Sequence, residues 1–392
     1  MNFEYYTPTK VVFGKGTEEK TGELVKEQGG HKVLIHYGSG SVVKTGLLDK
    51  ICHSLEEAGI SYVLLGGVVP NPRLSKVREG IRLCQEEKVD FLLAVGGGSV
   101  IDSTKAIGYG LANEGDVWDF YDRKRQAAGC MPLGAVLTIA AAGSEMSDSS
   151  VITNEDGWIK RGYSSNYCRC RFAVMDPELT YTLPDYQTQS GCVDIMMHTM
   201  ERYFNLSDNM ELTDGISEAL IRTVMKNAII LKQNPSDYNA RAEVMWASSL
   251  SHNGLTGCGT GGGDWASHQI EHELGGMFDV AHGAGLAAIW GSWARYVYPE
   301  HPERFARFAR QIFDLEERAD MQELALAGIE KMEDCYRSMG MPTNLKELGV
   351  EPTEAQMHEM AEKCCFFGQR TVGAIKKLTA ENVEKIYRMA RG

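Results

Sequence analysis

The strongest restriction on the fold of this chain is the place where its strand signals end. Up to Leu183-Pro184, short apolar runs alternate with helical stretches; from Gln187 onward the apolar periodicity is helical alone. The first half predicts strand structure over residues 3–13, closed by Gly14-Lys15-Gly16, then a helix over 17–28, a strand over 32–37 and a helix from about Val42. The unit repeats as a helix over 49–58, a strand over 62–65, a Pro70-Asn71-Pro72 turn, a helix to about Glu87 and a strand over 91–95. Residues 132–138 and 172–175 add strands, with 158–161 as a polar connection. Such alternation implies a Rossmann-like α/β domain with a parallel sheet and right-handed crossovers. The second half predicts helices near 191–204, 211–231, 240–252, 266–274 and 285–298, followed by others near 302–312, 321–339, 354–366 and 380–390. A chain of 392 residues exceeds the usual size of one core, so two domains are expected, an α/β domain over 1–184 and an all-helical domain over 185–392.

Within the α/β half, the strand ending at Val95 feeds Gly96-Gly97-Gly98-Ser99 and then a helical stretch that carries Asp102. Glycines let backbone approach a ligand, and the free N–H groups of a helix start attract anions, so this turn is expected to hold a cofactor pyrophosphate. It matches neither G-x-G-x-x-G nor a P-loop ending in G-K-[ST], and a tight structural turn is the competing explanation. Ala140 to Glu145 forms a second small-residue loop, and GCGTGGGD at 257–264 is expected to be a flexible or substrate-facing loop.

The helical half carries the chemistry. Asp194 and His198 are an i,i+4 pair on one predicted helix, and His268 and His272 repeat that spacing on another, with His282 beyond a glycine-containing segment that turns the chain back. A single such pair would be outweighed by the ordinary role of histidine as a hydrogen-bonded core residue. Three of the ten histidines fall within fifteen residues, however, and a second half-site lies on another helix, which favours metal binding. Imidazoles with one carboxylate suit Fe(II) or Zn(II) rather than Ca(II) or Mg(II). Five side chains are available for about four positions, and spacing does not choose among them.

Net charge and cysteine usage narrow the partners. A charge of −13 disfavours a nucleic-acid partner, no apolar run approaches the length of a membrane span, and ten cysteines without Cys-x-x-Cys suit a reducing compartment. The N-terminal segment lacks the pattern of a secretory signal, so a cytoplasmic protein acting on a small molecule is expected. A nucleotide-type half joined to a metal-bearing half suggests hydride transfer, with the metal polarising an alcohol or carbonyl oxygen.

The stretches VVFGKG, PNPR, AVGGGSVIDSTK, MDPELTYTLP, GCVDIMMHTMERYF and GDWASHQIEHELGGMFDVAHGAGLA together resemble the iron-dependent alcohol dehydrogenase family, nearest its butanol dehydrogenase branch, over essentially the whole chain. The resemblance implies the fold shared with dehydroquinate synthase, and a metal-dependent dehydrogenase acting on a short- to medium-chain primary alcohol or aldehyde. It implies metal ligands Asp194, His198, His268 and His282, with Fe2+ as the metal and Zn2+ as the alternative, and leaves His272 as a catalytic proton relay or substrate-positioning group. It places the pyrophosphate on Gly97, Gly98 and Ser99, with nucleotide contacts at Asn71, Asp102, Thr138, Lys160 and Leu179, and it suggests a homodimer. Relatives that prefer NAD often carry an acid in the turn after the second strand. Gly38, Ser39, Gly40 and Ser41 offer none and Lys44 is near, so NADP(H) is favoured over NAD(H). Trp265 and Phe278 flank the ligand histidines as core residues or as walls of a substrate pocket.

Two other chemistries fit parts of the chain. His268-Gln-Ile-Glu271-His272 matches the H-x-x-E-H pattern of inverted zinc peptidases, in which the glutamate is the general base. A dehydroquinate-synthase-like lyase would also combine nicotinamide with metal, but its phosphate-binding basic set is not evident.

Overall fold

The computed structural model describes residues 2–207, 210–316 and 319–392. The chain divides into two compact units, Tyr6–Leu183 and Pro184–Gly392, and the short segment Met1–Tyr5 belongs to the second. Tyr5 explains that placement, because its ring carbons stand 3.8 Å from where a side chain on Gly254 would begin.

In the first unit the strands are β1 (Lys10–Phe13), β2 (Lys32–Gly38), β3 (Ser61–Val68), β4 (Phe91–Gly96), β5 (Leu133–Leu137), β6 (Ser149–Asn154), β7 (Ile159–Ser164) and β8 (Phe172–Met175). Helices α1 (Thr21–Glu27), α2 (Ser41–Lys44), α3 (Leu47–Glu57), α4 (Leu74–Glu87), α5 (Gly98–Ala112) and α6 (Trp118–Tyr121) intervene. Among the described residues, six strands form one parallel sheet in the order β1-β8-β5-β4-β2-β3. β4 and β5 are buried along their whole length, as expected of strands covered on both faces, which is why they read as continuous apolar runs.

Two local expectations are corrected. Residues 3–9 form no ladder, and Phe3, Tyr5 and Tyr6 are exposed; β-rich composition makes a strand only where a sheet edge accepts it, and of the N-terminal stretch only Lys10–Phe13 pairs with β8. The polar connection expected over 158–161 is instead part of an antiparallel hairpin, β6 with β7, turned by Glu155-Asp156-Gly157-Trp158. The Asp-Gly pair was its sequence signal, obscured by the small and polar residues of both strands.

His36 on β2 is fully buried, with Nδ1 2.8 Å from the Leu65 carbonyl and Nε2 2.9 Å from Ser103 Oγ. Burial drives its pKa down to about 4, so it stays neutral in the folded protein while the unfolded chain takes up a proton below about pH 6.5. Stability from this residue is therefore complete above pH 6.5 and is lost as pH falls towards 4, a loss of about 3 kcal/mol. Urea unfolding of the parent and of His36→Gln across this range tests the point. The parent curve should fall more steeply towards acid, and parallel curves would refute it.

The second unit is helical: α7 (Asp185–Tyr203), α8 (Glu211–Gln233), α9 (Tyr238–His252), α10 (Ala266–Phe278), α11 (His282–Val297), α12 (Pro302–Phe313), α13 (Met321–Ser338), α14 (Leu345–Leu348), α15 (Glu354–Cys364) and α16 (Ala380–Met389). Helix α7 is buried all round from Thr188 to Tyr203 and packs against α8, α9 and α11, so it is the central helix of the unit. Its end is held by a buried charge network. Arg304 on α12 forks onto Asp214 of α8, with Nη1 2.7 Å from Oδ2, and donates from Nε to the Tyr203 carbonyl at 2.6 Å. Arg307 and the Tyr203 hydroxyl both donate to Glu218 Oε1, at 2.8 and 2.9 Å.

Candidate metal centre and nucleotide edge

Asp194 and His198 lie on one face of α7, as their spacing requires. His268 and His272 lie on α10, whose start is set by Trp265 in a left-handed conformation (φ 62°) and by Asp264 Oδ1 accepting the Ala266 N–H. The chain reverses after α10 at Asp279, also left-handed (φ 53°), not at the glycines Gly275 and Gly276, which are helical and buried. Aspartate tolerates that conformation and closes the helix on the Gly275 carbonyl, so His282 becomes the first residue of α11, three residues before the expected start.

This packing gathers the side chains around one oxygen. Asp194 Oδ1 lies 3.2 Å from His198 Nδ1, 3.7 Å from His268 Nε2 and 3.7 Å from His282 Nε2. The donor atoms of Asp194, His268 and His282 all fall within 4.8 Å of one another; His198 joins through Asp194 and through ring contact with His268, at 4.6 Å between centroids. Glu271, His272 and His282 form a second such group, which shares His282 with the first. His272 is buried but is not gathered around Asp194, its ring standing 6.3 Å from His268 and 5.7 Å from His282.

The donor set fits a divalent cation. Asp194 Oδ1, His198 Nδ1 and His268 Nε2 are buried without a hydrogen-bond partner, a costly arrangement that a metal ion would relieve. Burial alone would raise the Asp194 pKa, but the imidazoles, His198 foremost, hold it well below the usual carboxylate range. Burial pushes His198 well below its ordinary value, whereas Asp194 and Glu201 overcome burial at His268 and lift it to about 9. The pocket is thus arranged for positive charge among its carboxylates.

Among the neighbours of the ligands, Glu201 and Arg202 were not singled out from the sequence, and Glu271 was, as the base of a peptidase motif. Glu201, on α7 one turn beyond His198, accepts the backbone N–H of His268 at 2.8 Å and its Nδ1–H at 2.9 Å, both on Oε1. Glu271 is fully buried and accepts the Nδ1–H of His282. Arg202 donates to the His198 carbonyl at 2.8 Å and lies 3.1 Å from His252 Nδ1, with its guanidinium 4.6 Å over the Trp265 ring. Trp265 also rests on His268 at 5.3 Å, so it packs the centre, and Phe278 is half-buried at the end of α10. The 257–264 loop is a packing element at its end. Asp264 N–H donates to the Glu201 carbonyl at 2.7 Å, and a side chain on Gly263 (φ 85°) would meet that carbonyl oxygen at 2.6 Å. A helical-wheel projection of α7 was the signal for Glu201, three residues after His198 and seven after Asp194.

In the α/β unit, β2, β4 and β5 are neighbours and end at the same edge, Tyr37 pairing with Val95 and Gly96 with Leu137. This brings the Gly38–Ser41 turn, the Gly97-Gly98-Ser99 turn and Thr138 side by side at the carboxyl ends of parallel strands, where such sheets bind nucleotides. Helix α5 begins at Gly98, so its first N–H groups have no intrahelical acceptor. The glycines also have a packing cause, because side chains there would stand 3.0 Å from Ile139 and 2.9 Å from Ala142. Asp102 is committed to the protein, accepting from Ser144 Oγ and, at 2.9 Å, from the Val151 N–H. Lys105, also unremarked in the sequence, is fully buried and holds the carbonyls of Ser144, Ser147 and Ser149 at 2.7 to 3.0 Å. Asn71, left-handed at φ 53°, Thr138 and Lys160 are buried, and Leu179 packs on the sheet core.

Comparison with known proteins bears on both units. The family model described as iron-containing alcohol dehydrogenase matches residues 8–177, and that for the C-terminal domain of the Fe-containing alcohol dehydrogenase family matches 188–391. A probable NADH-dependent butanol dehydrogenase of Bacillus subtilis strain 168 is 39% identical over 98% of both chains. The NADPH-dependent aldehyde reductase YqhD of Escherichia coli K12 is 32% identical over the full length of both. The crystal structure of an NADH-dependent butanol dehydrogenase from Thermotoga maritima superposes with a TM-score of 0.96 at 40% identity, covering 100% of this chain and 99% of that one.

Proposed function

The chain belongs to the iron-containing alcohol dehydrogenase family, and from that premise we propose that it interconverts short- to medium-chain primary alcohols, butanol among them, with their aldehydes, using Fe2+ and NADP(H). The observation that carries this reading is the convergence of three imidazoles on the buried, unpartnered Oδ1 of Asp194. Asp194, His198, His268 and His282 hold the metal. When bound, the metal supplies Lewis-acid polarisation of the substrate oxygen, while the nicotinamide carries the hydride. Zn2+ suits the same donors.

The residues of the chain bind, orient and move the proton. His272, one turn from His268 and beside His282, takes the alcohol proton in oxidation and returns it in reduction, or positions the substrate oxygen. The turn at Gly97, Gly98 and Ser99 holds the pyrophosphate on the N-terminus of α5, with Asn71, Thr138, Lys160 and Leu179 around the nucleotide. Asp102 and Lys105 act at one remove by fixing the 144–151 segment. The peptidase alternative finds no support in this arrangement, since Glu271, which would be its general base, is fully buried against His282.

The experiment is turnover of linear primary alcohols and aldehydes, from ethanol to octanol, by protein reconstituted with iron or zinc, followed at the nicotinamide absorbance with each cofactor. The preference for NADP(H) rests on Gly38, Ser39 and Ser41, which offer no carboxylate to a 2′-phosphate, and on nearby Lys44. The relatives' names divide on this point, so it is a prediction in its own right. kcat/KM should favour NADPH, and Ser39→Asp should lower its use by about tenfold or more through like-charge repulsion. A parent that favours NADH overturns the cofactor preference and leaves the alcohol chemistry standing.

A further inference from the structure

We propose that Glu201 and Glu271 are positioning residues of the metal centre, each gripping the rear nitrogen of one ligand imidazole so that His268 and His282 both turn Nε2 towards Asp194. The inference rests on the ligand set proposed above. The two histidines reach the centre from different helices, α10 and α11, yet they are held in the same way. Each directs Nδ1 at a carboxylate, Glu201 for His268 at 2.9 Å and Glu271 for His282 in a close hydrogen bond. Each presents Nε2 at the same distance, 3.7 Å, from the same oxygen, Asp194 Oδ1.

The chemistry of imidazole gives this pairing its meaning. A neutral ring carries one N–H and one lone pair, and a carboxylate behind Nδ1 holds the proton there, leaving the lone pair on Nε2 for a cation. The same hydrogen bond makes the ring a better donor and stops it from rotating. Glu201 and Glu271 are almost wholly buried, an expensive place for a carboxylate unless a charge or a polarised N–H answers it. Glu201 is anchored twice over, because its Oε1 also takes the backbone N–H of His268 and so ties the α10 backbone to α7. At the other clamp the first turn of α11 lies directly on Glu271. A side chain at Gly285 would stand 2.9 Å from Glu271 Cγ, so this glycine permits the approach that sets His282 against the carboxylate. His198 is held otherwise, with Nδ1 towards Asp194 and its ring 4.1 Å from that of His252, tilted by 50°.

The test separates metal binding from folding. The full-length protein is stripped with a chelator and titrated with Co(II), the visible absorption giving stoichiometry and competition with Zn(II) giving affinity. Unfolding of each metal-free protein is measured in parallel. Glu201→Met and Glu271→Met, which remove the acceptor at similar volume, should weaken metal binding by about 10–100-fold. Glu201→Gln and Glu271→Gln, which keep an acceptor oxygen but lose the charge, should weaken it less, with metal-free unfolding close to the parent's. Should the Met variants fail to fold, the Gln pair decides. Folded variants that bind Co(II) within about twofold of the parent, or that weaken only as far as their metal-free stability falls, overturn the proposal. A parent that takes up no Co(II) overturns the ligand set and this inference together, whereas a parent that binds beside variants that bind equally well sinks only the positioning role.

Discussion

Replacing His268 or His282 by alanine is expected to yield folded protein that no longer retains stoichiometric metal and turns over at least about a thousandfold more slowly. The size follows from the contribution of a Lewis acid, several kcal/mol of transition-state stabilisation, at about 1.4 kcal/mol for each factor of ten. Each substitution removes one of the two Nε2 atoms that stand 3.7 Å from Asp194 Oδ1, and the third imidazole at that oxygen, His198, already belongs to the ligand set, so among the described residues none is left there to replace it. His272→Ala is the informative contrast. It should keep its metal and lose activity by about a hundredfold, the usual contribution of a positioned acid–base group. Metal analysis and turnover on the same samples distinguish the cases. A His268→Ala protein that keeps its metal beside a His272→Ala protein that loses it would place the ion in the group of Glu271, His272 and His282 instead, and a metal-free variant with undiminished turnover would end the mechanism.

The second large effect concerns stability. Asp214→Ala should destabilise the helical unit by about 3–5 kcal/mol, because it leaves the buried Arg304 guanidinium without its carboxylate. Arg304 keeps the Tyr203 carbonyl at 2.6 Å and lies 3.9 Å over the Tyr203 ring, but neither contact neutralises a charge. Arg307, 3.6 Å from Asp214 and 2.8 Å from Glu218, would be drawn further towards Glu218, so part of the network survives. Chemical denaturation followed by circular dichroism reports the loss as a lower midpoint. A shift worth less than about 1 kcal/mol would mean that Arg304 finds water or another acceptor. The same network holds the end of α7, so the variant should also bind metal more weakly.

Much of the fold was legible because it is written in local periodicity. The buried β4 and β5 appear as short apolar runs, and the long helices as 3.6-residue repeats with recognisable ends. The errors fell where periodicity is weak or a distant partner decides. Residues 3–9 have strand composition and no strand beside them, while β6 and β7 have a modest pattern but pair with each other. The reversal before His282 lies in the expected glycine-containing segment, but an aspartate at the helix end performs it.

The candidate centre divides along the same line. Spacing alone put Asp194 with His198, and His268 with His272, on shared helix faces, since residues four apart on a helix are neighbours whatever surrounds them. It left five candidates, and it gave His272 the same standing as His268. The family resemblance implied the four ligands and left His272 over; the packing of α7, α10 and α11 is what turns Nε2 of His268 and of His282 to Asp194 while His272 stands aside. The packing also set Glu201 behind a histidine 67 residues away. The physical reason is one of range. Backbone geometry settles which side chains share a face within a few turns, whereas the meeting of atoms from different helices depends on how those helices cross and on the small residues that let them approach, of which Gly285 against Glu271 is the clearest case.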